Sequence, residues 1–297
     1  DLGEVMTEFF QQLVNGLSIG SIYALIALGY TMVYGIIKLI NFAHGDIYML
    51  GAYVGFISIA QLHLGFFPAL LLAMVVCGVL GVIIERIAYK PLRNATRIAA
   101  LITAIGVSYF LEYSTQKIMG PGVKTYPSVL SNQTFHVFGI QIQMQQIYIL
   151  AITIILMLAL QFIVRKTKIG RSMRAVSVDA DAAKLMGINV DATISYTFAI
   201  GSALAGAGGV LVGMYYNTIN PLMGMVPGIK AFVAAVFGGI GIIPGAMFGG
   251  FFIGIVEALV TAYGSSLYKD AVVYAILILI LIIKPAGLLG KNVKEKV

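Results

Sequence analysis

The chain is short of charge. Only 10% of its 297 residues are Asp, Glu, Lys or Arg, while 60% are hydrophobic; soluble domains carry roughly 25% charged residues. Nineteen basic and 12 acidic side chains cannot clothe a water-soluble globule of this size, so most of the surface must face lipid. The mean hydropathy of +0.96 agrees. The single cysteine, Cys77, excludes a disulfide framework and any multi-cysteine metal site, and its apolar setting marks it as a small packing residue. Tryptophan is absent, so any interfacial aromatic belt is built from Tyr and Phe. The three histidines, His44, His63 and His136, are scattered without metal-ligand spacing, which argues against an integral membrane enzyme. No Gly-x-x-x-x-Gly-Lys-Ser/Thr phosphate loop occurs, so ATP would have to be bound by another chain. The net charge of +7 comes without the aromatic-interleaved basic stripe of a nucleic-acid binder.

What the chain has is long apolar runs, near 10–34, 45–62, 67–85, 98–118, 146–164, 192–214, 245–263 and 271–284, with a shorter one at 229–243. Backbone groups in hydrocarbon must be satisfied internally, and no ten-residue alternating pattern points to a barrel. The reading is an all-α polytopic membrane protein of about 8–10 transmembrane helices, some discontinuous, forming one membrane-spanning domain over 1–297. Asp1, Glu4 and Glu8 precede the first run, where a cleavable signal would carry positive charge.

Basic residues orient the chain. Arg86, Lys90, Arg93 and Arg97 form one cluster; Arg165, Lys166, Lys168, Arg171, Arg174 and Lys184 a second; Lys284, Lys291, Lys294 and Lys296 a third. They hold 14 of the 19 basic residues, so all three are assigned to the cytoplasm. Parity between the second and third holds only if 229–243 also crosses. The stretch 119–145 then lies outside, as either a docking surface or a solvated connector. The acidic N-terminus lies outside too, unless 29–43 adds a crossing.

Two kinds of feature carry function. The loop 165–191 is too polar to span and too patterned for a linker, and it reads as short amphipathic helices along the inner face. Asp179 and Asp181 suit the start of the second of these helices, and Gly187 suits its stop. Elsewhere Gly, Pro and Asn interrupt the apolar runs. Asn41, Phe42, His44 and Asp46 in the first half, and Asn217, Asn220 and Pro221 in the second, mark breaks whose polar groups should face a cavity. Helix ends exposed there can attract a carboxylate in transit. Glu257 interrupts another apolar run and is assigned to a path or to a helix–helix hydrogen bond, whereas Glu85 and Arg86 read as charges that offset each other at a helix end. A loose Gly-driven parallel between 44–55 and 244–254 suggests a two-fold internal repeat.

Several segments carry a family resemblance: LGYTMVYGIIKLINFAHGDIYMLGAY at 28–53, GIKAFVAAVFGGIGIIPGAMFGG at 228–250 and the segment 257–291. Asp181-Ala182-Ala183-Lys184-Leu185-Met186-Gly187 also resembles the Glu-Ala-Ala-x-x-x-Gly coupling segment of ABC-transporter permeases, with Asp in place of Glu. Over essentially its whole length the chain resembles the LivH-type permeases of high-affinity branched-chain amino-acid ABC transporters. The resemblance implies a bacterial inner-membrane subunit that pairs with a homologous LivM-type permease, two cytoplasmic ATPases holding ATP and Mg²⁺, and an external substrate-binding protein. It binds no cofactor itself. The implied cargo is leucine, isoleucine and valine; other amino acids, short amides or urea are the alternatives, as is a secondary transporter or channel. Arg171, Arg174, Asp181, Ala182, Ala183 and Gly187 become the implied ATPase-coupling residues. The path is expected to be apolar with a few neutral dipoles. No Ile-x-Leu-Pro follows Gly187, which departs from the family pattern.

Overall fold

The computed structural model describes residues 2–290 and is helical almost throughout. Lys291, Lys294 and Lys296 of the third basic cluster lie outside the described residues. In chain order the helices are α1 (Leu2–Ile37), α2 (His44–Ala60), α3 (Phe66–Ile84), α4 (Arg97–Met119), α5 (Met144–Lys166), α6 (Lys168–Val178), α7 (Ala180–Leu185), α8 (Val190–Tyr216), α9 (Met225–Gly238), α10 (Ile243–Tyr263) and α11 (Lys269–Ile283). Six described helices, α1, α3, α4, α5, α8 and α10, are long and apolar enough to cross a membrane. The shorter α2, α9 and α11 have 17, 14 and 15 residues, about 21–26 Å at 1.5 Å per residue, so they fall short of the roughly 30 Å hydrocarbon core.

The core is built around α1 and α8, whose apolar windows are 78% and 83% buried, against 28% and 22% for α4 and α5. The outer helices expose Leu71, Val75, Ile102, Phe110, Ile155 and Phe162, as lipid-facing helices must. Small residues let the central helices touch backbone to backbone. A Cβ added at Gly20 of α1 would lie 2.7 Å from the Cα of Phe251 in α10, and one at Gly16 would lie 2.6 Å from that of Ile255, which fixes the two helices antiparallel. Cys77 is a buried packing residue.

The breaks differ from the sequence expectation in one respect. Residues 29–37 continue α1 without interruption, so this stretch adds no crossing, and the chain turns only at 38–43. The amino end of α1 lies beside the segment 119–145: the Gln11 amide donates to Gln141 O at 2.9 Å, and Gln141 N donates back to Gln11 Oε1 at 2.7 Å. The two therefore share one end of the helix bundle. The segment 119–145 carries regular structure. Strands β1 (Lys124–Thr125) and β4 (Thr218–Ile219) pair antiparallel, and β2 (Thr134–Val137) forms a hairpin with β3 (Ile140–Gln143).

The carboxyl end of α3 continues as a π-turn (Glu85–Tyr89) and a 3₁₀ turn (Lys90–Leu92). Here the expected Glu85–Arg86 compensation is replaced. Glu85, fully buried, pairs with Arg93 and accepts from Ser195 Oγ at 2.8 Å, while Arg93 and Lys90 both pair with Asp191 at the start of α8. The wider π-turn brings the chain back so that Arg93, eight residues on, reaches the carboxylate.

Candidate functional site

The break at 38–43 is held by side chains. Asn41 is buried, and its Oδ1 accepts from the Tyr89 hydroxyl at 2.7 Å and from Ala43 N at 3.1 Å, tying the turn to the π-turn after α3. His44 opens α2 under Gly29 of α1, where a Cβ would come within 2.2 Å of its Nε2, and its ring lies 4.8 Å from that of Tyr30. Both residues brace the break; neither lines a cavity described here.

Two helix starts then meet. Gly45 in the first turn of α2 touches Gly224 and Gly228 at the start of α9 so closely that a Cβ on Gly45 would sit 2.4 Å from Gly224 O. Neither start carries a side-chain cap. The first turn of α9 forms a septum between two cavities. One, about 300 Å³, is lined by Phe42, Asp46, Met225 and Ile229 together with Leu101, Ile105, Ser108 and Glu112 of α4. The other, about 240 Å³, is lined by Asn220, Met223 and Pro227 with Tyr23, Tyr48 and Tyr216. The first is at the low end of small-molecule pockets, about 300–1,000 Å³.

Of the sequence-proposed path residues, Phe42 and Asp46 reach the first cavity and Asn220 the second. Asn220 also accepts from Leu222 N at 3.0 Å, shaping the turn that leads into α9. Pro221 is buried in that turn. Asn217 ends α8 in the left-handed region (φ 56°), and its carbonyl accepts from Tyr126 N at 2.8 Å. Glu257 lines neither cavity. It accepts from the Tyr23 hydroxyl at 2.7 Å and from Lys230 Nζ at 2.9 Å, with Lys269 Nζ 3.3 Å away, and Lys230 also pairs with Asp270 at 2.5 Å. This network joins α1, α9, α10 and α11. Lys230 carries no role in the sequence reading, although a lysine near the start of the apolar run 229–243 was the available signal. Glu112 of α4 is a second carboxylate beside the first cavity.

The loop 165–191 folds as the two expected short helices. Arg174 donates to the terminal carbonyls of α5, Val164 O at 2.6 Å and Arg165 O at 3.1 Å, which suits a cation at a helix C-terminus. Asp179 caps α7 through Ala182 N at 2.9 Å. Ile188 N donates to Ala183 O and Gly187 N to Lys184 O, both at 3.0 Å, with Gly187 at φ +83°: a Schellman stop, for which glycine is suited. Gly187 therefore serves the turn; Ala183 is buried, and Arg171, Asp181 and Ala182 are exposed. The missed feature is apolar: Val178, Leu185 and Met186 are each more than 80% exposed at this corner. Met173, Arg174 and Ser177 of α6 meet Gly35 in the last turn of α1 and Gly241 in the turn between α9 and α10 across a small crevice.

Residues 12–281 match the family described as "Branched-chain amino acid transport system / permease component". The chain belongs to this family. It is 47% identical over 308 residues to the high-affinity branched-chain amino acid transport system permease protein LivH of Escherichia coli (strain K12), covering all of both chains. It is 46% identical, again over the whole of both, to LivH of Salmonella typhimurium. It is 45% identical to the permease BraD of Pseudomonas aeruginosa over 97% of this chain and 98% of that one. No solved structure matches. As a member the chain is a multi-pass membrane permease component, not an enzyme.

Proposed function

We propose that this chain is the permease subunit of an ATP-driven importer of leucine, isoleucine and valine in the cytoplasmic membrane. It would work with a homologous LivM-type permease, two ATPases that hold ATP and Mg²⁺, and an external binding protein. The observation that carries this reading is similarity at 45–47% identity over nearly the whole chain to permeases of high-affinity branched-chain amino acid systems. The exposed Val178, Leu185 and Met186 corner supplies the apolar surface an ATPase groove could cover. Arg174 links that corner to the end of α5, and α6 meets the end of α1 and the turn after α9, so movement of the corner would reach α9 from its far end. The path runs through the two cavities. Phe42, Asp46 and Asn220 line it, Asn41, His44, Asn217 and Pro221 shape its breaks, and Glu257 anchors α9.

The test is co-purification with the products of neighbouring genes, followed by radiolabelled uptake in liposomes with leucine, isoleucine, valine and urea. Leucine uptake that needs both ATP and the binding protein is expected. Uptake that persists without ATP would replace the reading with secondary transport.

A further inference from the structure

Asp46 is 2% exposed, its Oδ1 has no hydrogen-bond partner, and it lines the first cavity. Glu112 of α4 is 5% exposed and lines the same cavity, and Ser108, one turn before it, lies with Glu112 beside the Asp46 carboxyl group. Among the described residues no Lys, Arg or His forms an ion pair with either carboxylate. Two facing carboxylates in a low-dielectric setting repel each other, and a cation between them removes that cost. The rest of the cavity has a different chemistry. The start of α9 has no acidic residue in its first turn and offers the positive end of its helix. Leu101, Ile105 and Ile229 make an apolar wall.

We infer that this cavity is a waypoint for an intact zwitterionic amino acid, with its α-ammonium group held by Asp46 and Glu112. The assignment rests on the importer reading above. An ammonium group has three N–H donors, as a lysine does, and Asp46, Glu112 and the Ser108 hydroxyl supply three acceptors. The cargo carboxylate then faces the start of α9, and the branched side chain packs on the apolar wall. This departs from a path lined only by neutral dipoles. The reason for the carboxylates is that a desolvated ammonium needs acceptors of opposite charge. A ligand held at both ends would be favoured at the permease over molecules that lack an amino group.

The test uses the complete transporter in liposomes, with the permease pair, ATPases and binding protein all present. Asp46→Asn and Glu112→Gln are expected to lower leucine uptake roughly 30-fold or more, the scale of losing one partner of a buried charge pair, and Asp46→Glu is expected to restore most of it. A second measurement needs no variant. Dicyclohexylcarbodiimide labelling of Asp46 and Glu112 in the working wild-type complex should be suppressed by leucine, and not by 4-methylpentanoate, which lacks the ammonium group. Uptake within roughly twofold of wild type in both variants overturns the assignment. So does labelling that leucine does not change, even when the variants are inactive, because the carboxylates then serve only the fold. A wild-type complex that moves no branched-chain amino acid sinks the importer reading itself, a distinguishable result.

Discussion

Lys230 offers the sharpest test of what holds α9 in place. It is 2% exposed and Glu257 is 3% exposed, their charged atoms 2.9 Å apart. At an effective dielectric of about 20 the gross attraction is about 6 kcal/mol. Replacing Lys230 by Met removes it, yet Glu257 keeps the Tyr23 hydroxyl at 2.7 Å and Lys269 at 3.3 Å, and the Asp270 side chain is 42% exposed overall although its Oδ1 is buried. The net loss should therefore fall near the lower end of the 3–5 kcal/mol typical of a broken buried pair, about 3 kcal/mol. At roughly 2–4 °C per kcal/mol, the unfolding midpoint of the purified complex should drop by about 6–12 °C. The midpoint is read at one fixed scan rate, because membrane proteins of this size rarely unfold reversibly. The double replacement Lys230→Met with Glu257→Leu leaves no orphan charge between the two and should recover much of the loss. A drop below about 2 °C for the single variant, or a double variant as poor as the sum of the singles, would refute the view that the pair acts as a unit.

Two further outcomes follow from backbone geometry. Gly45→Val should lower leucine uptake and the melting midpoint more than Gly45→Ala does. Even a Cβ would sit 2.4 Å from Gly224 O, where ordinary contact begins at 3.4 Å, and overpacking of this kind costs about 1–3 kcal/mol; unchanged uptake in the valine variant would show that the helix starts part easily. Gly187 has open space around it and φ +83°, so Gly187→Ala should weaken ATPase co-purification through backbone strain of about 1–2 kcal/mol, while Gly187→Asn, which tolerates that region, stays close to wild type. Equal retention of ATPases by both variants would argue against a role for the Schellman stop in coupling.

The sequence by itself determined the solvent and the helical class, because these depend on the summed hydropathy of each segment. It also located the short helices of 165–191, whose stop at Gly187 and cap at Asp179 are local backbone chemistry. The breaks at 38–43 and before α9 were legible from Gly, Pro and Asn, although the uninterrupted run of α1 to Ile37 was not, since glycine within a helix does not announce whether the helix stops.

Only the tertiary structure decided what the polar residues do. Asn41 and Asp46 are five residues apart and both buried, yet one accepts a hydrogen bond from Tyr89 and the other opens into a cavity. Glu257 is satisfied because Lys230, 27 residues earlier, and Tyr23, on the first helix, converge on it. The physical reason is that the cost of a polar group in a membrane is set by its partners. Those partners come from helices distant in sequence, so their meeting is a property of packing and cannot be read from any one segment.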